Sequence, residues 1–282
     1  MSKSRVLTAI KPISGLTLKS TTKWTYFPLS EGGVAGTGTG TDAINDSRAT
    51  TLVDVPMEAA GIANQWTTKD GWWTGNGTDE CFIQSWSADA AALDSVFTLG
   101  EGAMLIAGQI SHSNATEHSI LSFGENKDSG VLIYGIRVMA IATTGRISYV
   151  LRMNDDTVVN GNAAPGTTSD GGTYNFAVTI DNRVGVKEAI AYDDVAASGV
   201  PSSAVTKDTS ALGAVGVGNI EANQRLVLGA TSSGTDVGTQ FFTGSLRRLM
   251  VVNYGQSPPA SFGPVLTKLF SNGMQPYWGM DE

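Results

Sequence analysis

Cysteine occurs once in the 282 residues, at Cys81. No disulfide can close within the chain, so packing alone must hold the fold, and assembly in a cytoplasm is compatible with it. The setting of that thiol, Glu80-Cys81-Phe82-Ile83-Gln84, is apolar, as for a buried structural cysteine. Charge is sparse as well. Only 16% of residues are Asp, Glu, Lys or Arg, too few for an architecture of long solvent-facing helices. Long apolar runs are missing. The stretch 6–10 ends at Lys11, too short for a secretory leader. The stretch 131–142 is broken at Arg137 and falls short of the ~20 residues that span a bilayer. Neither a signal peptide nor membrane insertion is expected.

The usual catalytic spacings are missing too. His112 and His118, the two histidines, are not the His-Glu-x-x-His pair that sets two zinc ligands on one helical turn. They read as polar surface residues beside a strand. There is no Gly-x-Ser-x-Gly elbow. Gly36-Thr37-Gly38-Thr39-Gly40 lacks the Lys-Ser/Thr and the helix of a phosphate loop. The acidic pairs Asp155-Asp156 and Asp193-Asp194 fall where turns are expected. No catalytic residue and no metal ligand is assigned.

What the chain does have is glycine, at 34 positions, a 41% hydrophobic fraction and six tryptophans that need somewhere to pack. Short β-branched or aromatic runs alternate with Gly, Asn, Asp and Ser. They predict strands at 24–29, 80–86, 103–110, 118–123, 130–141, 146–153, 173–180, 185–192, 224–230 and 245–253. Ile147, Tyr149, Leu151 and Met153 share one face, opposite Ser148 and Arg152. Phe176, Val178 and Ile180 share another, opposite Ala177 and Thr179. That period of two marks half-buried strands. One helix is expected, capped by Ser257, with Pro258 and Pro259 in its first positions and Gly273 at its end. Its apolar stripe, Phe262, Val265, Leu266, Leu269 and Phe270, would pack on the sandwich edge.

Charge is unevenly spread. Residues 1–23 hold Lys3, Arg5, Lys11, Lys19 and Lys23 and no acid, while the rest carries 13 basic and 26 acidic residues. The acidic body disfavours nucleic acid; the basic arm suits an acidic partner surface. The expected organisation is a basic arm over 1–23, a β-sandwich over 24–256, and a C-terminal helix and tail over 257–282 packed on the sandwich.

Three stretches resemble a known family. They are Trp24-Thr-Tyr-Phe-Pro-Leu-Ser-Glu-Gly-Gly33 with the later Asn45-Asp46-Ser47; Tyr174-Asn-Phe-Ala-Val-Thr-Ile-Asp181 followed by Ala189-Ile-Ala-Tyr-Asp-Asp194; and Phe242-Thr-Gly-Ser-Leu-Arg-Arg-Leu-Met-Val-Val-Asn-Tyr254. In order and spacing they resemble the concanavalin A-like, laminin-G-type jelly roll. The resemblance implies an all-β fold of two antiparallel sheets packed face to face, and little about activity, because that fold hosts lectins, adhesion modules, glycosidases and virion proteins. Glycosidases of the fold carry Glu-x-Asp-x-x-Glu on one strand, which sets two carboxylates about 5 Å apart. No such segment exists here, so no enzymatic activity is expected. Many relatives hold calcium at the sandwich rim. Asp181, Asp193 and Asp194 could supply oxygens, yet such residues also cap turns; no ligands and no cofactor are assigned.

Four tryptophans, Trp66, Trp72, Trp73 and Trp86, lie close together in the sequence. On a strand, Trp72 and Trp73 face opposite ways. Trp66, Trp72 and Trp73 are therefore candidates to stack on a glycan, with core or subunit packing as the alternative. The leading expectation is a structural or attachment protein of a virus particle, a bacteriophage decoration, fibre or adhesin. It would be held to other virion proteins by its arm and would self-associate. A carbohydrate-binding module recognising a cell-surface (host) glycan is the alternative, and a glycoside hydrolase of unrecognised type the second.

Overall fold

Strand pairing organises the chain into two antiparallel sheets. The computed structural model describes residues 23–27, 57–60, 67–69, 72–84, 96–97, 99–112, 116–126, 132–152, 158–163, 171–194, 202–203, 225–231, 240–271 and 273–274. In chain order its strands are β1 (Lys23–Phe27), β2 (Met57–Ala60), β3 (Thr67–Lys69), β4 (Trp72–Asn76), β5 (Cys81–Gln84), β6 (Ala103–His112), β7 (His118–Asn126), β8 (Leu132–Ala140), β9 (Ile147–Arg152), β10 (Val158–Asn162), β11 (Thr173–Asp181), β12 (Glu188–Asp193), β13 (Ser202–Ser203), β14 (Arg225–Leu228) and β15 (Thr243–Gly255). The helix α1 (Gly263–Ser271) follows β15. The first sheet runs β13-β12-β11-β6-β15-β4-β3, with β1 added to β15; the second runs β10-β9-β8-β7-β14-β5-β2. This is the antiparallel, two-sheet jelly-roll sandwich expected.

Inward-facing residues of both sheets interdigitate in one core, as the pleat of facing sheets dictates. Met104, Ile106 and Ile110 of β6 and Phe176, Val178 and Ile180 of β11 meet Phe123 of β7, Ile136 and Val138 of β8, and Ile147, Tyr149 and Leu151 of β9. All twelve are at most 2% exposed. Ile147, Tyr149 and Leu151 of β9 and the stripe on β11 therefore face the core as expected, Met153 lies outside the described residues, and Cys81 is buried. The half-buried reading of β11 is corrected. Ala177 and Thr179, on its other face, are also buried.

A second apolar layer explains why. Leu105, Ala107, Ala177, Met250, Val252 and Tyr254 on the outer face of the first sheet pack against Val265, Leu266, Leu269, Phe270 and Met274. The helix stripe is the one the sequence showed, but it covers a sheet face and not an edge. The helix also starts later than expected, so Ser257 is not its cap and Pro258 and Pro259 precede it. Ser261 Oγ accepts from the Gly263 amide at 3.2 Å and does the capping. The end falls where glycine marked it. Gly273 has φ +58°, its amide donates to Phe270 O and the Met274 amide to Leu269 O, a Schellman closure.

β15 is 13 residues long and carries a bulge between Arg247 and Met250, where Arg248 has φ +55°. The extra residue switches which side chains face out. Ser245 and Arg247 point outward before it, and Met250, Val252 and Tyr254 after it. Before the bulge β15 pairs with β4; after it, with β1. Gly244 of the Phe-x-Gly-x-Leu motif has φ +136°, and a Cβ there would meet the Ser111 carbonyl at 2.1 Å. The glycine of the motif thus lets the start of β15 lie close against the end of β6, where Gly244 pairs with His112.

Strands β2, β3, β4, β10 and β13 were not foreseen; each has five residues or fewer. Lys23, placed in the arm, opens β1 and pairs with Asn253. Lys3, Arg5, Lys11 and Lys19, the loop 32–41, Trp66, Trp86, Asp155 and Asp156 lie outside the described residues. Among the described residues no helix is long and apolar enough to cross a membrane.

Candidate functional site

The bulge in β15 divides the outer face of the first sheet into an apolar half under α1 and a polar half beside it. Two polar rows cross that half. Ser245 opposes Thr74 on one side and Ser111 on the other, and Ser111 opposes Thr173. The Thr74 and Ser245 hydroxyls bond at 2.9 Å. One step along, Arg247 opposes Gln109, and Gln109 opposes Asn175.

This second row continues at both ends. The Arg247 guanidinium carbon sits 3.9 Å from the ring centre of Trp72, a cation–π contact on a half-exposed strand. Arg247 Nε donates to Gln109 Oε1. Gln109 Nε2 donates to Asn175 Oδ1 at 2.9 Å. Asn175 then gives its backbone amide to Asp194 Oδ1 at 2.6 Å and Nδ2 to Asp194 Oδ2 at 2.5 Å. Burial pushes the Asp194 carboxyl above the usual carboxylate range, against the hydrogen bonds from Asn175, which pull it down. Nδ2 of Asn175 also reaches the Phe270 carbonyl at the end of α1, at 3.3 Å, and Arg248 Nη1 holds the Gly273 carbonyl at 2.8 Å. The helix end is thereby tied to the polar rows.

The neighbouring tryptophans divide as alternation requires. Trp72 is half-buried on the polar face. Trp73 points inward, 2% exposed, with Phe82 edge-on at 5.0 Å. Trp73 as a glycan-stacking residue is corrected: it is core. Trp72 remains, with one ring face taken by Arg247.

The histidines are buried, contrary to the surface reading. His112 and His118 are 2% and 1% exposed, with ring centres 5.8 Å apart. His112 falls on the inward parity of β6, where its Nε2 meets the Gly145 carbonyl at 2.9 Å and the Tyr174 hydroxyl. His118 Nδ1 reaches the Phe241 carbonyl at 3.2 Å. Backbone carbonyls at this end of the sandwich make such burial affordable.

Asp181, Asp193 and Asp194 do not converge. Asp193 ends β12 facing inward and holds Arg146. Asp194 faces outward to Asn175. Asp181 lies at the far end of the β11–β12 hairpin and binds Arg183 Nη2 at 2.7 Å. Asp181, Asp193 and Asp194, named as possible calcium oxygens, thus hold three separate partners. Among the described residues no group of three His, Cys, Asp or Glu is placed to hold a metal ion. On the other side of α1 a cleft of about 310 Å³ is lined by Asp181, Arg183, Glu188, Tyr192 and Phe262.

Sequence reasoning missed Arg247, Gln109 and Asn175. A signal existed. The outward positions of β6 pass from Leu105 and Ala107 to Gln109 and Ser111, so the strand leaves an apolar cover for a polar surface.

No protein-family model matches the chain, and no curated protein matches it in sequence. Solved structures do share its fold. A botulinum neurotoxin serotype C1 binding domain aligns with a TM-score of 0.53 at 11% identity over 90% of this chain and 52% of that one. The binding domain of botulinum neurotoxin DC in complex with SialylT aligns with a TM-score of 0.54 at 9% identity, over 90% and 52%. The serotype G binding domain aligns with a TM-score of 0.52 at 12% identity, over 80% and 49%. The chain spans about half the length of these structures.

Proposed function

We propose that this chain is a non-enzymatic carbohydrate-binding β-sandwich that uses the polar half of its first sheet. The observation that carries the reading is the row Arg247, Gln109 and Asn175, set in register across β15, β6 and β11, with Trp72 of β4 under the guanidinium at one end and Asp194, just past β12, at the other, beside the row of hydroxyls. A sugar offers both donors and acceptors on its hydroxyls and an apolar C–H face. The Thr74, Ser245 and Ser111 hydroxyls and the Arg247 guanidinium on a rigid sheet answer the first, held from beneath by the buried Gln109 and Asn175 amides, and an indole answers the second. A flat array of this kind gives affinities of roughly millimolar to micromolar. That a binding domain of the same architecture was solved in complex with SialylT supports the reading. The resemblance to concanavalin A-like jelly rolls is part of the same proposal. A glycan screen followed by calorimetry on the chain and on its Trp72→Ala and Arg247→Ala variants tests it. Binding by the parent chain, weakened about tenfold in each variant, supports it; equal binding by all three removes the site from this face.

A second reading, attachment of the body to a virus particle, is favoured by the charge split between a +5 segment over 1–23 and the acidic remainder. In it Lys3, Arg5, Lys11, Lys19 and Lys23 dock on acidic virion proteins, the sandwich faces out toward a host glycan, and copies self-associate. Co-sedimentation with source particles, comparing the full chain with one that starts at Trp24, tests it. Association that needs the arm supports it, and equal behaviour of the two opposes it.

A further inference from the structure

The hydrogen bonds of the Arg247–Asp194 row all run one way. A guanidinium only donates and an ionised carboxylate only accepts. With Arg247 at one end, Gln109 must present its oxygen to it and its nitrogen to Asn175. With Asp194 at the other, Asn175 must present its oxygen to Gln109 and its nitrogen to the carboxylate. The observed bonds follow this order at every step. The ends alone therefore fix both amide orientations, and hydrogen bonds aligned in sequence polarise one another. Asp194 also accepts the Asn175 backbone amide. Only a carboxylate offers two acceptors there; an asparagine would set an N–H against one of the two donors.

We infer that Asp194 is a positioning residue for the guanidinium of Arg247 over Trp72, acting through Asn175 and Gln109 from three strands away. Strand spacing puts the two charged ends ~14 Å apart, beyond the range at which substitutions normally influence one another. Gln109 and Asn175 are 8% and 6% exposed, so water competes little for the middle of the row. Gly273, where a Cβ would lie 3.7 Å from Gln109 Nε2, packs the end of α1 against it. The inference rests on the glycan-binding reading only for its consequence, that Asp194 tunes ligand affinity without touching the Trp72 end.

The test is a double-mutant cycle on the unliganded chain at mildly alkaline pH, which favours the carboxylate against the upward push of burial on Asp194. Urea unfolding is measured for the parent, Asp194→Asn, Arg247→Met and the double variant. A relay predicts that the double variant loses less than the two single losses combined, by roughly threefold or more in the unfolding constant. Independent losses, multiplying to within about twofold, overturn it. Should Asp194→Asn not fold, Gln109→Glu asks the same question from the middle. Glutamate still accepts from Arg247 but cannot donate to Asn175. The Asn175 side-chain amide signals in NMR then shift and broaden if the relay exists, and unchanged signals overturn it. The cycle needs no sugar, so coupling without glycan binding retains the relay and discards the binding reading. Glycan binding without coupling does the reverse.

Discussion

Arg146 and Asp193 grip each other inside the sandwich, Nε to Oδ2 at 2.7 Å and Nη2 to Oδ1 at 2.6 Å. Their side chains are 5% and 0% exposed. Arg146 immediately precedes β9 of the second sheet and Asp193 ends β12 of the first, so the pair clasps the two sheets at one end of the core. Two-pronged geometry recovers much of what desolvating both charges costs. Removing one partner strands the other. Asp193→Ala should cost about 3–5 kcal/mol in urea unfolding, whereas Arg146→Met with Asp193→Leu should cost much less. Equal losses in the two would show that the ionic character itself holds the sheets.

The adjacent tryptophans should separate cleanly. Trp73→Ala empties a core site between Phe82 and Phe242 and should cost about 3–5 kcal/mol. Trp72→Ala removes a partly exposed ring and its contact with Arg247, and should cost about 1 kcal/mol. Thermal or urea unfolding of both variants checks the order.

The faces of strands were legible in the sequence where they carry full alternation. β9 and β11 were found with the correct inward faces because Ile147, Tyr149, Leu151, Phe176, Val178 and Ile180 leave no other solution. The β11–β12 hairpin and the last strand β15, followed by a short helix, were carried by the Asp181 and Phe-x-Gly-x-Leu signals. Short strands such as β3 and β10 hold too few residues for a period to register. The helix start was misplaced because Pro258 and Pro259 are good first-turn residues, yet the cap fell to Ser261. The site was half legible. Trp72 was picked out by its composition, but Arg247 joins it only through a bulge, and the amides join only through pairing between distant strands.

Gly273→Ala tests the helix end. Its φ of +58° strains any L side chain, and a Cβ would approach Arg248 Nη1 to 3.2 Å. A loss of about 1 kcal/mol is expected, with the fold kept.

The Asp194 carboxyl gives stability a pH signature. Burial, the largest influence, raises its pKa in the folded state. Folding therefore favours its protonated form, and the folded state binds more protons than the unfolded one in the interval between the two pKa values. Its contribution is fullest below the ordinary aspartate range and declines as pH rises through the elevated value. Compared with Asp194→Asn, the parent chain should thus gain stability as pH falls across that interval. Parallel pH profiles for the two would contradict the assignment.

The central claim is that the outer face of the first sheet binds sugar at Trp72 and Arg247. The most direct measurement is a solution NMR titration of the chain with a glycan selected by screening, following the Trp72 indole and Arg247 Nε–H signals. The account predicts that these two move first and furthest, and that the buried Trp73 indole does not move. Saturable binding that leaves Trp72 and Arg247 still while shifting residues elsewhere would contradict it.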